Sequence, residues 1–171
     1  MKFFSFVMFF VVSLMGPLFA SNSVADNHVV VTPTMMFPAD GQWQHAFDSI
    51  KGESGKTNAA LARAVALYKH MEKAGIDSGQ VTSAVVVHGP AIYDIANTAR
   101  YEEAYGVGVS NPNAELVAEL VARGGEIWVC GVAALHREVG DDDVLPGVQM
   151  APAAMVAHAE LQRRGFSLNP Y

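Results

Sequence analysis

The run from Thr82 to Val87, ending in Val85-Val86-Val87, limits the possible folds more than any other part of this chain. A strand with no polar residue at every second position has no face to give to water, so it is buried on both sides. Strands of that kind belong to parallel sheets, whose neighbours are joined by crossovers of helical length. The chain supplies such crossovers. Thr57 or Asn58 caps a long helix running to about Ala74, with Leu61, Ala64, Val65, Tyr68 and Met71 at helical spacing and Gly75 as its stop. After His88-Gly89-Pro90, the residues Ile92, Ile95, Ala96 and Ala99 line one face of a second helix, and Glu102 to Ser110 is an irregular connection. Asn111 caps a third helix with Pro112 in its first position; Leu116, Val117, Leu120 and Val121 form its buried face, and Glu119 with Arg123 an i,i+4 pair.

Three further runs have strand character: Trp43 to Ile50, Ile127 to Val129 entered through Gly124-Gly125, and Val148 to Met150. Lys51 to Lys56 is a charged Gly/Ser loop, and Pro152 begins a last helix through Arg164 that Gly165 ends. Strands and helices alternating through short loops require right-handed βαβ crossovers. The expected fold is a three-layer α/β sandwich with a mainly parallel sheet, one domain over residues 46–171, long enough to bury a sizeable core without disulfides.

Ahead of it, Met1 to Ala25 reads as a secretion signal. Lys2 supplies the positive start, Phe3 to Met15 the apolar stretch, Gly16-Pro17 a break, and cleavage fits after Ala20 or after Ala25. The apolar stretch is short for a membrane span, so a removed signal is expected over the alternative of an uncleaved anchor, and the mature chain is expected in the periplasm with no membrane attachment. Residues 26–45 form an N-terminal arm whose Pro33 and Pro38 keep it out of a central strand. Loss of Lys2 moves the formal charge from -6 to -7, a surface that disfavours nucleic acid and anionic lipid.

Chemistry gathers at Cys130, the only cysteine, which cannot form an internal bridge. It stands at the carboxyl end of the Ile127 to Val129 strand, Gly131 marks the bend, and Val132 to Glu138 has the composition of a following helix. In open α/β sheets the ligand crevice lies outside the carboxyl ends of the strands, where a thiol at a helix start is biased toward thiolate. Free cysteine is also among the most buried residue types, so Cys130 is either an inert core residue or a used nucleophile. His88 ends a neighbouring strand and is the candidate to take or balance the thiol proton; the plainer reading is a histidine bonded to backbone at a turn. Gly89 and Gly131 are candidates for backbone contact with a bound sulfur anion, although tight turns alone explain glycine. His136, six residues beyond Cys130, falls off its face of the helix.

The order strand, Val129-Cys130-Gly131, short helix, Asp142-Asp143-Val144-Leu145-Pro146-Gly147-Val148, then an alanine-rich helix ending near Gly165-Phe166 resembles the DsrE/DsrF-like family. Val85-Val86-Val87-His88-Gly89-Pro90 is similar to that family's second strand and turn, and the resemblance covers Ala46 to Tyr171. It implies a three-layer α/β fold, a homo-oligomer, and a cysteine that carries persulfide sulfur between donor and acceptor proteins.

Other chemistry finds little support. Gly106-Val107-Gly108 lacks the third glycine and the strand-to-helix setting of a dinucleotide motif, and Asp141-Asp142-Asp143 reads as a solvated loop. His45, His70 and His158 show no paired metal-site spacing, and no G-x-S-x-G, C-x-x-C or H-E-x-x-H occurs, so no cofactor or resident metal is expected. Two alternatives stay open: a soft-metal or small-ligand carrier using Cys130, His88 and Met150, suited to copper(I), and a structural domain whose cysteine is incidental. The export reading is checked by intact mass. Protein from a periplasmic fraction should begin at Ser21 or Asp26, and a full-length cytosolic product would overturn it.

Overall fold

The computed structural model describes residues 31–169; the expected signal, residues 1–25, lies outside them. The chain divides into two units, residues 1–35 and 36–171. In the first, residues 31–35 contain no helix or strand.

The second unit holds five strands: β1 (Trp43–Ser49), β2 (Val81–Val87), β3 (Glu126–Cys130), β4 (Val148–Ala151) and β5 (Ser167–Asn169). All pair in parallel, in the order β4-β3-β2-β1-β5, with Phe47 beside Val85, Val85 beside Ile127 and Ile127 beside Val148. The helices are α1 (Ala59–Lys73), α2 (Thr98–Tyr105), α3 (Ala114–Ala122), α4 (Gly131–His136) and α5 (Ala154–Arg163). From β1 to β4 the chain steps across the sheet in one direction. It then returns past β1 to lay down β5, and a right-handed crossover on the way back puts its helix on the opposite face. Two cores result. Phe47, Val85, Val87, Ile127 and Val129 pack with Leu61, Tyr68 and Leu120 on one face, while Ala46, Ala84, Val86 and Ala151 pack with Ala157, Leu161 and Phe166 under α5 on the other. This is the expected three-layer α/β fold. β2 is the doubly buried strand its sequence implied, with Ala84, Val85, Val86 and Val87 all fully buried.

Several boundaries differ from those expected, most of them for a non-local reason. β1 starts at Trp43, as the strand-like run from Trp43 to Ile50 implied, so the arm ends before residue 45, and Gln80 Nε2 donates to the Ala39 and Gly41 carbonyls just before the strand. The expected second helix is split: Gly89–Ile95 is a 3₁₀ helix, and α2 follows with Asn97 as its cap, its side chain accepting from Arg100 N–H. Ala96 between them bridges to Val144, so Ile92, Ile95 and Ala96 are buried while Ala99 is exposed. α2 therefore occupies part of the stretch read as irregular. α3 begins at Ala114 rather than Pro112, because the Asn111 side chain is engaged with Asn113 N–H and with the Asp94 and Ala96 carbonyls. α5 likewise begins two residues after Pro152.

The β1–α1 turn is tied down by buried polar groups. Asn58 caps α1 by accepting from Ala60 and Leu61 N–H, and its amide donates to Ser49 Oγ at 2.8 Å and Asp94 Oδ2 at 2.7 Å. Its own N–H donates to Asn113 Oδ1, which links the turn to the start of α3. Burial pushes the Asp94 carboxyl from 3.8 up to about 6, against the opposing pull of the Asn58 amide. A raised carboxyl pKa means the folded state holds its proton more tightly than the unfolded chain does. The associated stability is present at low pH and lost as pH rises from about 4 through about 6. Urea unfolding of Asp94→Asn should therefore gain on wild type between pH 4 and pH 7.5, by roughly 1 to 2 kcal/mol after allowance for screening. A difference independent of pH would show that Asp94 is not titrating as described.

Candidate functional site

Side chains on a strand alternate between faces, so residues out of phase with the larger core face α5. In β3, Ile127 and Val129 feed that core and Cys130 turns the other way; in β2, Val85 and Val87 feed it and His88 follows out of phase. Asp48, in register with Val86, does the same in β1. Asp48, His88 and Cys130 thus leave the carboxyl ends of three adjacent strands on one side of the sheet. α5 closes over them: Ala154, Ala157, His158 and Leu161 lie at helical spacing, and Ala157 and Leu161 are buried against the sheet.

The four polar residues line one cleft of about 560 Å³. Its remaining wall is apolar, with Val132 from α4, Ala153, Ala154 and Met155 at the start of α5, and Leu168 from β5. Cys130 is 7% exposed, so it is neither a free surface thiol nor sealed in the core: it is a shielded side chain forming part of a cleft wall. His88 Nε2 lies 3.0 Å and His158 Nε2 2.8 Å from the same oxygen, Asp48 Oδ1. The structure thus brings the expected pair, Cys130 and His88, to one cleft without a hydrogen bond between them. It adds two residues that the sequence reading passed over.

Signals for both were present. Asp48 is an acidic residue within an otherwise half-apolar strand, and His158 sits on the apolar stripe of its helix, where a polar side chain requires a partner. Spacing tests for metal motifs do not detect a histidine whose partner is 110 positions away.

The two glycines have conformational and packing roles, and neither lines the cleft. Gly89 has φ +58, and a Cβ there would stand 2.9 Å from Ile50 Cγ1. A Cβ on Gly131 would stand 2.8 Å from the Ala151 carbonyl oxygen, so Gly131 lets β4 pass close to the bend after Cys130. Met150, in register with Val129, packs against the larger core and is not part of the Cys130 cleft. His136 is exposed on α4 and does not line the cleft, in keeping with its spacing off the Cys130 face. Among the described residues, no group of three or more His, Cys, Asp or Glu is disposed to hold a metal, and no helix is long and apolar enough to cross a membrane.

A model of the DsrE/DsrF-like family matches residues 45–169. No curated protein matches the chain. Among solved structures, the chain is similar to the protein of unknown function MTH1491 from Methanobacterium thermoautotrophicum, at 15% identity and a TM-score of 0.51, covering 77% of this chain and 100% of that one. It is also similar to the ychN protein from E. coli, at 11% identity and a TM-score of 0.53, covering 76% of this chain and 100% of that one. At these identities the structural likeness speaks to the fold; the contents of the cleft are this chain's own.

Proposed function

Since this chain belongs to the DsrE/DsrF-like family, we propose that it carries sulfur as a persulfide on Cys130, receiving it from one protein and passing it to another. The observation that carries this reading is the placement of the only cysteine, shielded but cleft-lining, in the same cleft as His88 at the carboxyl ends of the strands. The thiolate of Cys130 attacks the outer sulfur of a donor R-S-SH. A new S–S bond forms at Cys130 Sγ, the donor's S–S bond breaks, and R-S⁻ leaves and takes up the proton that Cys130 gave away. Transfer to an acceptor thiol is the same exchange in reverse, with no net oxidation and no cofactor. His88 supplies the place where the proton waits.

With no second cysteine, the chain has no internal thiol to displace sulfur as a disulfide, which favours a carrier serving partner proteins over a self-contained redox enzyme. The export signal read in the sequence would set this carrier in the periplasm. Reduced mature protein incubated with polysulfide should gain about one sulfur, ~32 Da, at the thiolate, removed by dithiothreitol and abolished in Cys130→Ser. A thiol that stays unmodified in the folded protein but reacts once unfolded would end the reading.

The same reading includes a homo-oligomer, as the resemblance implied. Val132, Met155 and Leu168 at the cleft, with Leu135 and Val156 beside them on α4 and α5, are large apolar side chains left exposed, and a second copy of the chain would cover them. Light scattering at micromolar concentration should show a multiple of the monomer mass that Leu135→Glu with Met155→Glu reduces to one. A monomer throughout would exclude it.

A further inference from the structure

The cleft contains more acid–base apparatus than one thiol and one histidine require. Asp48 Oδ1 receives two imidazoles, His88 Nε2 at 3.0 Å and His158 Nε2 at 2.8 Å, from two separate elements. A carboxylate only accepts hydrogen bonds, so each Nε2 carries a hydrogen. The proton that comes and goes on each ring is then the one at Nδ1. His158 Nδ1 is buried with no hydrogen-bond partner among the described residues.

Fastening α5 to the sheet does not explain this arrangement. Ala157 and Leu161 already bury that helix, and one histidine on Asp48 would add a polar tether. Charge explains it better. Asp48 comes from β1, His88 from the end of β2, Cys130 from β3 and His158 from α5, while α4 and β5 present only Val132 and Leu168. Among the described residues no lysine or arginine lines this cleft; Lys51 and Arg63 lie on a neighbouring cavity that Asp48 also borders. Among the side chains that line the cleft, only His88 and His158 can set a positive charge against a Cys130 thiolate. One carboxylate balances one imidazolium, whereas a second on the same oxygen would be repelled by the first.

We infer that Asp48 is the positioning residue of this site: it holds His88 and His158 in the Nε2–H state, so that the pair stores at Nδ1 the single proton that Cys130 releases and the departing thiolate recovers. The inference rests on the sulfur-carrier reading and adds His158 and Asp48 to it. The thiol and the rings are not hydrogen-bonded in the resting structure, and the cleft is roomy enough for a water to carry the proton across. Both bonds made and broken in the sulfur exchange remain at Cys130, and the histidine pair moves only the proton.

Iodoacetamide alkylation of Cys130 between pH 5.5 and 9.5 tests the inference, because it reports thiolate without requiring sulfur transfer. Asp48→Asn should react roughly tenfold more slowly than wild type near pH 6.5 and converge with it above pH 9, where the thiol ionises unaided. His158→Gln should shift the profile in the same direction although His88 remains, and the double variant should be no slower than Asp48→Asn alone. Nitrogen-15 NMR of the wild-type histidines should show both rings as Nε2–H at high pH, a readout that needs no variant to fold. Superimposable alkylation profiles in folded Asp48→Asn and wild type, or Nδ1–H rings, would overturn the inference; a purely structural role would change the melting temperature and leave the profile in place. Polysulfide mass gain separates the two claims. A gain as fast in Asp48→Asn as in wild type defeats this inference and leaves the carrier function standing, whereas no gain with a shifted alkylation profile defeats the carrier function and leaves Asp48 in its role.

Discussion

Alternation of side chains across a doubly buried parallel sheet is the constraint on which the site depends. Each of the three central strands commits one phase to the larger core, through Phe47, Val85 with Val87, and Ile127 with Val129. The other phase is then obliged to face α5, and at the strand ends it delivers Asp48, His88 and Cys130 to one place. A slip of one residue in the register of any strand would turn its functional side chain into the opposite core. The apolar packing and the chemistry are therefore one specification.

The reversal at β1 has a similar double effect. Because the chain returns to place β5 beside β1, α5 is the helix that covers the second face, and a cleft remains between its first residues and the carboxyl ends of the strands. Its small residues keep it close to the sheet: Ala46, Ala84 and Ala151 on the strands meet Ala157 on the helix. That closeness lets His158 reach Asp48, and Gly131 lets β4 run tightly past the bend that follows Cys130. On the opposite face, larger residues such as Leu61, Tyr68 and Leu120 fill a deeper layer, and the Asn58 network fixes the turn from β1 into it.

What the sequence disclosed, and what it withheld, divides along the same line. Val85-Val86-Val87, the stripe from Leu61 to Met71 and the Glu119–Arg123 pair are local patterns, and the structure contains each of them. Cys130 at a strand end was legible for the same reason. The break between the 3₁₀ helix and α2 depends on Ala96 meeting Val144, the start of α3 depends on what Asn111 and Asn113 bind, and β5 is three residues recognisable as a strand only beside His45 to Phe47. The pairing of Asp48 with His158 needs the strand order, the register and the side of the sheet taken by α5, none of which is written in a local window.

Under the proposed export, a single cysteine faces a specific physical problem. In an oxidising compartment a freely exposed thiolate is drawn into mixed disulfides and sulfenic acid, while a sealed one can exchange sulfur with nothing. Cys130 stands between these limits: little of it is exposed, yet it lines a cleft whose remaining wall is apolar. A neutral thiol in such a place would be safe and unreactive; on the inference drawn above, what makes it usable is a nearby group able to hold its proton. An imidazole pair anchored on one carboxylate is suited to that need because, unlike a lysine or arginine, it brings no permanent positive charge into the cleft. The apolar wall and the Asp48 cluster thus bear on two halves of one requirement, shielding the thiol and managing its proton.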